Sequence, residues 1–187
     1  TLHVRYLSRR LDRPGFRRPG AAPQRGFTAI ELMVTVAILA VLAALAAPSF
    51  TPLMERWRVR QAAEELQSTI YYARSEAIKR GGGVAIVAAT GGWDQGWGVT
   101  YTQGSTTTDL QVSPAPTKVT ISQSNSTTTL FVDRWGMLSE INGDAPVAMN
   151  VLIYPTGKSA TDSSATRLCI GIGGRIVQMT QGATCPT

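Results

Sequence analysis

Residues Phe27–Ala47, FTAIELMVTVAILAVLAALAA, hold a single charge, Glu31, in 21 positions. A helix rises about 1.5 Å per residue, so this run spans roughly 30 Å, the hydrocarbon thickness of a bilayer. It predicts a transmembrane helix. Seven arginines (Arg5, Arg9, Arg10, Arg13, Arg17, Arg18, Arg25) and one acid, Asp12, precede it. Basic residues stay on the cytoplasmic side, which places residues 1–26 inside and the remainder outside. Arg56, Arg58 and Arg60 follow the span, and seven outweighs three.

The net charge of +6 over 187 residues therefore belongs to the leader, because residues 27–187 carry eleven basic and eleven acidic side chains. Overall basicity is then no argument for nucleic-acid binding by the part that follows. The leader contains Pro14, Pro19 and Pro23 and shows almost no apolar periodicity, so disorder is expected. It opens on Thr1 rather than Met, and an incomplete or processed start is expected.

Two plainer readings of the apolar run are a secretory signal peptide, with Ala44-Leu45-Ala46 as a small-residue cleavage site, and a simple anchor. Both leave Glu31 unexplained. A carboxylate within an apolar span costs about 2.5–3.5 kcal/mol on insertion scales, so it is kept for a partner or a function. A cut after Gly26 frees an α-amino group on Phe27, four residues before Glu31. Positions four apart share a helix face, so in an assembly the acid of one subunit is placed to neutralise the amine of the next.

Gly26-Phe27-Thr28-Ala29-Ile30-Glu31 resembles the cleavage motif of type IV prepilins and pseudopilins. The resemblance implies cleavage after Gly26 by a membrane prepilin peptidase, N-methylation of Phe27, and an assembly role for Glu31. It also implies a helix bend at Pro48. The sequence departs from the family at Ala29, where a large aliphatic is commoner, and in the length of its leader.

From Ser49 the apolar positions Phe50, Leu53, Trp57, Ala63, Leu66, Ile70, Ala73 and Ala77 recur mostly at helical spacing. This predicts an amphipathic continuation of the helix over residues 48–80, its stripe packed on the head. Gly81-Gly82-Gly83 ends it. The β-rich head, residues 81–187, is expected to form strands at Val84–Ala89, Gly96–Tyr101, Thr117–Ser122, Thr128–Val132, Val147–Tyr154, Arg167–Gly171 and Gly174–Met179. Residues 102–129, rich in Ser and Thr, read as variable loops around one or two edge strands. The fold class is α+β: a long N-terminal helix against an antiparallel head, with two sheets implied by the family resemblance below. Asn125-Ser126-Thr127 matches a glycosylation sequon, which chance explains.

Ala73–Gly81, Trp93-Asp94-Gln95-Gly96-Trp97 and Leu130-Phe131-Val132-Asp133 leading to Gly136 are similar to segments of the GspH and FimT minor pseudopilins. Arg134-Trp135 departs from that family's proline-containing version. The resemblance implies a minor subunit at or near a filament tip, in type II secretion or in type IV pili. Its partners would be other major and minor pilins, the prepilin peptidase and an inner-membrane assembly platform. The expected location is the bacterial inner membrane with a periplasmic head, then the filament.

Cys169 and Cys185, the only cysteines, would lie outside the cytoplasm and are expected to form a disulfide. A loop of this length is worth about 3 kcal/mol in the chain-entropy model. Two thiols make no metal site, and the only histidine, His3, sits in the leader. Asp94, Asp133, Glu140, Asp144 and Asp162 are too scattered to pair as acid and base. No enzyme, cofactor or metal is expected. The competing reading is DNA uptake: some FimT members bind DNA through a basic Gly-Arg-x-Arg segment. Here Gly174-Arg175-Ile176-Val177 keeps the first arginine and replaces the second. Lys158, Arg167 and Arg175 are the candidate contacts, for weak and salt-sensitive binding.

Overall fold

The computed structural model describes residues 26–46, 50–180 and 183–186. They divide into two units, one ending at Ala44 and one beginning at Leu45.

The first unit is essentially one helix, α1 (Ala29–Ala46). It is apolar on every side, and Ile30, Leu32, Met33, Val36, Leu39, Val41 and Leu42 are all exposed. A helix with no polar face is suited to apolar surroundings. Pro48 lies outside the described residues, as do residues 1–25 of the leader with His3.

The second unit begins with α2 (Thr51–Arg80), which has proline in its first turn, where the missing N–H costs nothing. Gly81 closes it at φ 77°, and the Gly82 N–H donates to the Ala77 carbonyl at 2.8 Å. This is the six-to-one bond of a Schellman ending, which only a residue at ease in the left-handed region can make. Val59, Ala62, Ala63, Leu66, Thr69, Ile70, Ala73, Glu76 and Ala77 form its buried face.

That face corrects the stripe read from the sequence. Phe50, Leu53 and Trp57 are 58%, 61% and 60% exposed and do not pack on the head. At about 100° per residue, Phe50, Leu53 and Trp57 centre roughly 150° away from Ala63, Leu66, Ile70, Ala73 and Ala77, so the earlier apolar residues lie on nearly the opposite side from the later ones. The core stripe begins at Val59.

The strands are β1 (Val84–Ala89), β2 (Gly92–Gln103), β3 (Thr106–Pro114), β4 (Val119–Gln123), β5 (Thr129–Val132), β6 (Leu138–Ser139), β7 (Met149–Pro155), β8 (Thr166–Ile170) and β9 (Ile176–Thr180). They form a five-stranded sheet, β3-β2-β1-β5-β6, and a four-stranded sheet, β4-β7-β8-β9, with antiparallel pairing throughout. α2 packs against strands of both, and the core draws on all three layers: Leu66, Ile70 and Ala73 from the helix, Ile86, Trp97, Val99 and Leu130 from one sheet, Ile153, Leu168 and Ile170 from the other. Burial alternates along β7, as expected of a strand with one face on the core.

Residues 102–129 hold more strand than loop. Gln103 faces Thr106 across a two-residue turn and β3 runs nine residues as the edge of its sheet. Threonine is β-branched and suits an extended, half-exposed edge, so the Ser/Thr bias that suggested loops was a strand signal. β4 is the edge of the other sheet.

Candidate functional site: the processing and assembly segment

Gly26, Phe27 and Thr28 precede α1 as exposed chain without regular secondary structure, and among the described residues a side chain built on Gly26 would meet nothing within 4 Å. The Thr28 hydroxyl accepts a hydrogen bond from the Glu31 N–H at 3.3 Å. Thr28-Ala29-Ile30-Glu31 is thus a capping-box sequence, in which a carboxylate three residues into the helix is favoured by the unpaired N–H groups of the first turn. That pattern is legible in the sequence itself. Among the described residues no helix is long and apolar enough to cross a membrane. α1 accounts for 18 residues, about 27 Å at helical rise.

In the head, the motif residues join the layers. Arg74 donates from Nε to the Gly136 carbonyl and from Nη1 to the Gly174 carbonyl, both at 2.7 Å. Gly136 lies between β5 and β6, and Gly174 between β8 and β9, so one guanidinium holds a turn from each sheet against α2. The Trp97 indole N–H donates to Thr69 Oγ1 at 3.1 Å in the buried core. Gly96, at φ 104°, brings β2 so near the end of β3 that an added Cβ would sit 2.6 Å from the Ser113 carbonyl oxygen. Asp133 Oδ1 accepts from the N–H groups of Trp135 and Met137 at 2.9 and 2.8 Å, which shapes the β5–β6 turn without the family's proline. Asn125, of the sequon, donates instead to Glu140 at 2.6 Å.

At the end of α2, Glu76 pairs with Lys79 at 2.7 Å and Arg80 at 2.9 Å. The hydrogen bond from Lys79, then that from Arg80, holds its carboxyl below the usual carboxylate range. Arg80 also lies over the Tyr101 ring at 4.6 Å, tying the helix end to β2.

Cys169, buried in β8, is bonded to Cys185, which brings the C-terminal segment back onto the four-stranded sheet. The three candidate DNA contacts do not form one patch. Lys158 is held by Glu55 at 3.1 Å and Asp162 at 3.6 Å. The close ion pair with Glu55, then the attraction of Asp162, keeps its ammonium above its ordinary pKa. Arg167 donates to Asn150 at 2.9 Å from the end of β8 that pairs with Met179. Arg175 is exposed at the opposite end, in the turn that Gly171 closes through its N–H to the Arg175 carbonyl. Sequence proximity suggested a cluster; the hairpin separates its two arginines and the lysine is neutralised.

An apolar helix opened by a glutamate whose N–H is capped by Thr28, and a second helix laid against two antiparallel sheets, define the type IV pilin-like class. Within it, the family model described as Type II transport protein GspH matches residues 62–182, and the prokaryotic N-terminal methylation motif matches residues 22–47. The chain belongs to the GspH family of minor pilins and pseudopilins. Two fimbrial proteins of Pseudomonas aeruginosa are each 33% identical to it over 95 residues, 48% of this chain and 60% of theirs. The chain thus matches less than two thirds of the length of those curated relatives. Among solved structures, the type IV minor pilin FimU of Pseudomonas aeruginosa superposes with a TM-score of 0.57 at 24% identity, over 68% of this chain and 92% of that one. The minor pseudopilin EpsH from the type 2 secretion system of Vibrio cholerae does so at 0.50 and 11% identity, over 68% and 99%. These likenesses show the fold.

Proposed function

We propose that the chain is a non-enzymatic minor subunit of a type IV pilus or a type II secretion pseudopilus, cut between Gly26 and Phe27 by a membrane prepilin peptidase and methylated on the new amine. Phe27–Ala47 holds it in the inner membrane, with the leader cytoplasmic and the head periplasmic. An assembly platform then moves it into the filament, at or near the tip. The 18 residues of α1 lie within that apolar run, whose 21 residues suit a bilayer core of roughly 30 Å.

The observation that carries this reading is the pairing of an exposed Gly26–Phe27 bond with a capped Glu31 at the head of an otherwise apolar helix. The experiment is co-expression of the full chain with a prepilin peptidase and mass measurement of the N-terminus. The expected product begins at methylated Phe27, and Gly26→Val leaves the precursor intact. A mature start anywhere else, such as after Ala46, returns the chain to the signal-peptide reading.

A further inference from the structure

Phe50, at the N-cap, and the first two turns of α2 carry a second apolar stripe that the head does not use. Phe50, Leu53, Met54 and Trp57 are all exposed, and at about 100° per residue they fall within one face, nearly opposite the buried face that begins at Val59. The stripe is short: Gln61, Glu64 and Ser68 continue the same face and are exposed polar residues. Phe50, Met54, Arg58 and Lys118 line one hollow, and Trp57 and Arg58 border the adjoining one.

Charge flanks the stripe on both sides. Arg58 lies along one edge of the helix face and Arg60 along the other, with Lys118 exposed beside Arg58. The single acid between Phe50 and Arg60 is Glu55, and Lys158 neutralises it at 3.1 Å. An aromatic and aliphatic face edged by arginine and lysine is the composition of a helix lying in a membrane interface, its apolar side at the acyl boundary and its cations on the phosphates. Phe50 also follows Ala46, the last residue of apolar α1, by only four positions.

We infer that this stripe is a lipid-contact surface: Phe50, Leu53, Met54 and Trp57 enter the headgroup boundary while Arg58, Arg60 and Lys118 engage anionic phospholipid headgroups. The inference rests on the membrane-held reading above. It gives the subunit an interfacial anchor before it leaves the bilayer, separate from its transmembrane segment.

The full chain has no free thiol once Cys169 and Cys185 are bonded, so single cysteines can carry a nitroxide label. Leu53→Cys, Trp57→Cys, Ser68→Cys and Val41→Cys chains are reconstituted separately in phosphatidylcholine vesicles with and without phosphatidylglycerol. Each label's exposure to oxygen and to a water-soluble nickel complex is then measured. Labels at 53 and 57 are expected at headgroup depth, more so with the anionic lipid, and the label at 68 in water. Arg58→Gln with Lys118→Gln should lower the ratio of lipid-facing to water-facing label by on the order of tenfold in anionic vesicles. Should that double variant fail to fold, the contrast between positions 53 and 68 decides alone. Labels at 53 and 57 in water while Val41 sits in hydrocarbon overturn this inference and leave the membrane-held reading standing. A label at Val41 in water overturns both. Shielding at 53 and 57 that appears only at high protein density, whatever the lipid, means a second copy covers the stripe and also overturns it.

Discussion

Arg74 Nη1 donates to the Gly174 carbonyl at 2.7 Å, across 100 residues of sequence. The same guanidinium reaches Gly136 from its Nε, so α2 is fastened to one turn of each sheet by a single side chain. Gly174 adopts φ 74°, and a Cβ there would stand 2.5 Å from Nη2 and 2.6 Å from Cζ of Arg74. Gly174→Ala therefore adds left-handed backbone strain, of order 1–3 kcal/mol, to a displaced guanidinium. Arg74→Ala loses two charge-assisted bonds at about 1.5–3 kcal/mol each, less whatever water restores at the two carbonyls. The expected outcome is non-additivity: in a double-mutant cycle followed by urea unfolding, Gly174→Ala should cost less once Arg74 is gone. Equal cost in both backgrounds would mean that the glycine answers to backbone strain alone.

The Glu76 carboxyl, bonded by Lys79 and Arg80, titrates below its ordinary value of 4.5. The sign follows from linkage: as pH falls, the unfolded chain takes up this proton before the folded one does, so the stabilisation is full above about 4.5 and is lost as pH drops through the lower folded value. Unfolding midpoints followed from neutral pH downward should fall below that point. In Glu76→Gln this component of the slope should vanish, and a slope unchanged by the substitution would assign the acid sensitivity to other carboxylates.

How much of this was legible depended on whether a signal was local. The apolar helix α1 and β1 could be read because composition and short-range pattern specify them. Residue order also carried the end of α2, where three glycines follow a helical run. The loss of phase between Trp57 and Ala63 was visible too, but counting apolar residues without tracking their angle joined two faces into one. β3 was hidden because serine and threonine serve loops and edge strands alike. β6 is only two residues long, too short for any period to show. The partners of Arg74, 62 and 100 residues away, and the capture of Lys158 by Glu55, follow from tertiary packing. No window of sequence contains them.

That capture bears on DNA. Phosphate affinity grows with the number of cations presented together, and here Arg175 stands exposed at one end of the β8–β9 hairpin, Arg167 bonds Asn150 at the other, and Lys158 is held by two carboxylates. A DNA titration of the processed chain at low and moderate salt is expected to show no affinity that depends on Arg175. Binding lost in Arg175→Ala, with a steep salt dependence, would reinstate the hairpin as a nucleic-acid contact.

The capped Glu31 raises a sharper question, because the same carboxylate has a local use and an intermolecular one. As the third helical residue after Thr28 it favours the start of α1, a role glutamine fills nearly as well as glutamate. As the neutralising partner of a neighbour's Phe27 amine it must carry charge, and glutamine cannot replace it. Glu31→Gln and Glu31→Val therefore separate the two. If charge pairing drives assembly, both variants should be cut normally after Gly26 and both should be depleted from sheared filaments, compared with the unaltered chain at equal membrane abundance. If the residue acts mainly as a cap, Glu31→Gln should enter filaments normally while Glu31→Val does not. An uncharged glutamine that assembles would remove the reason for keeping an acid within the span, since a buried charge is retained only where something needs it charged.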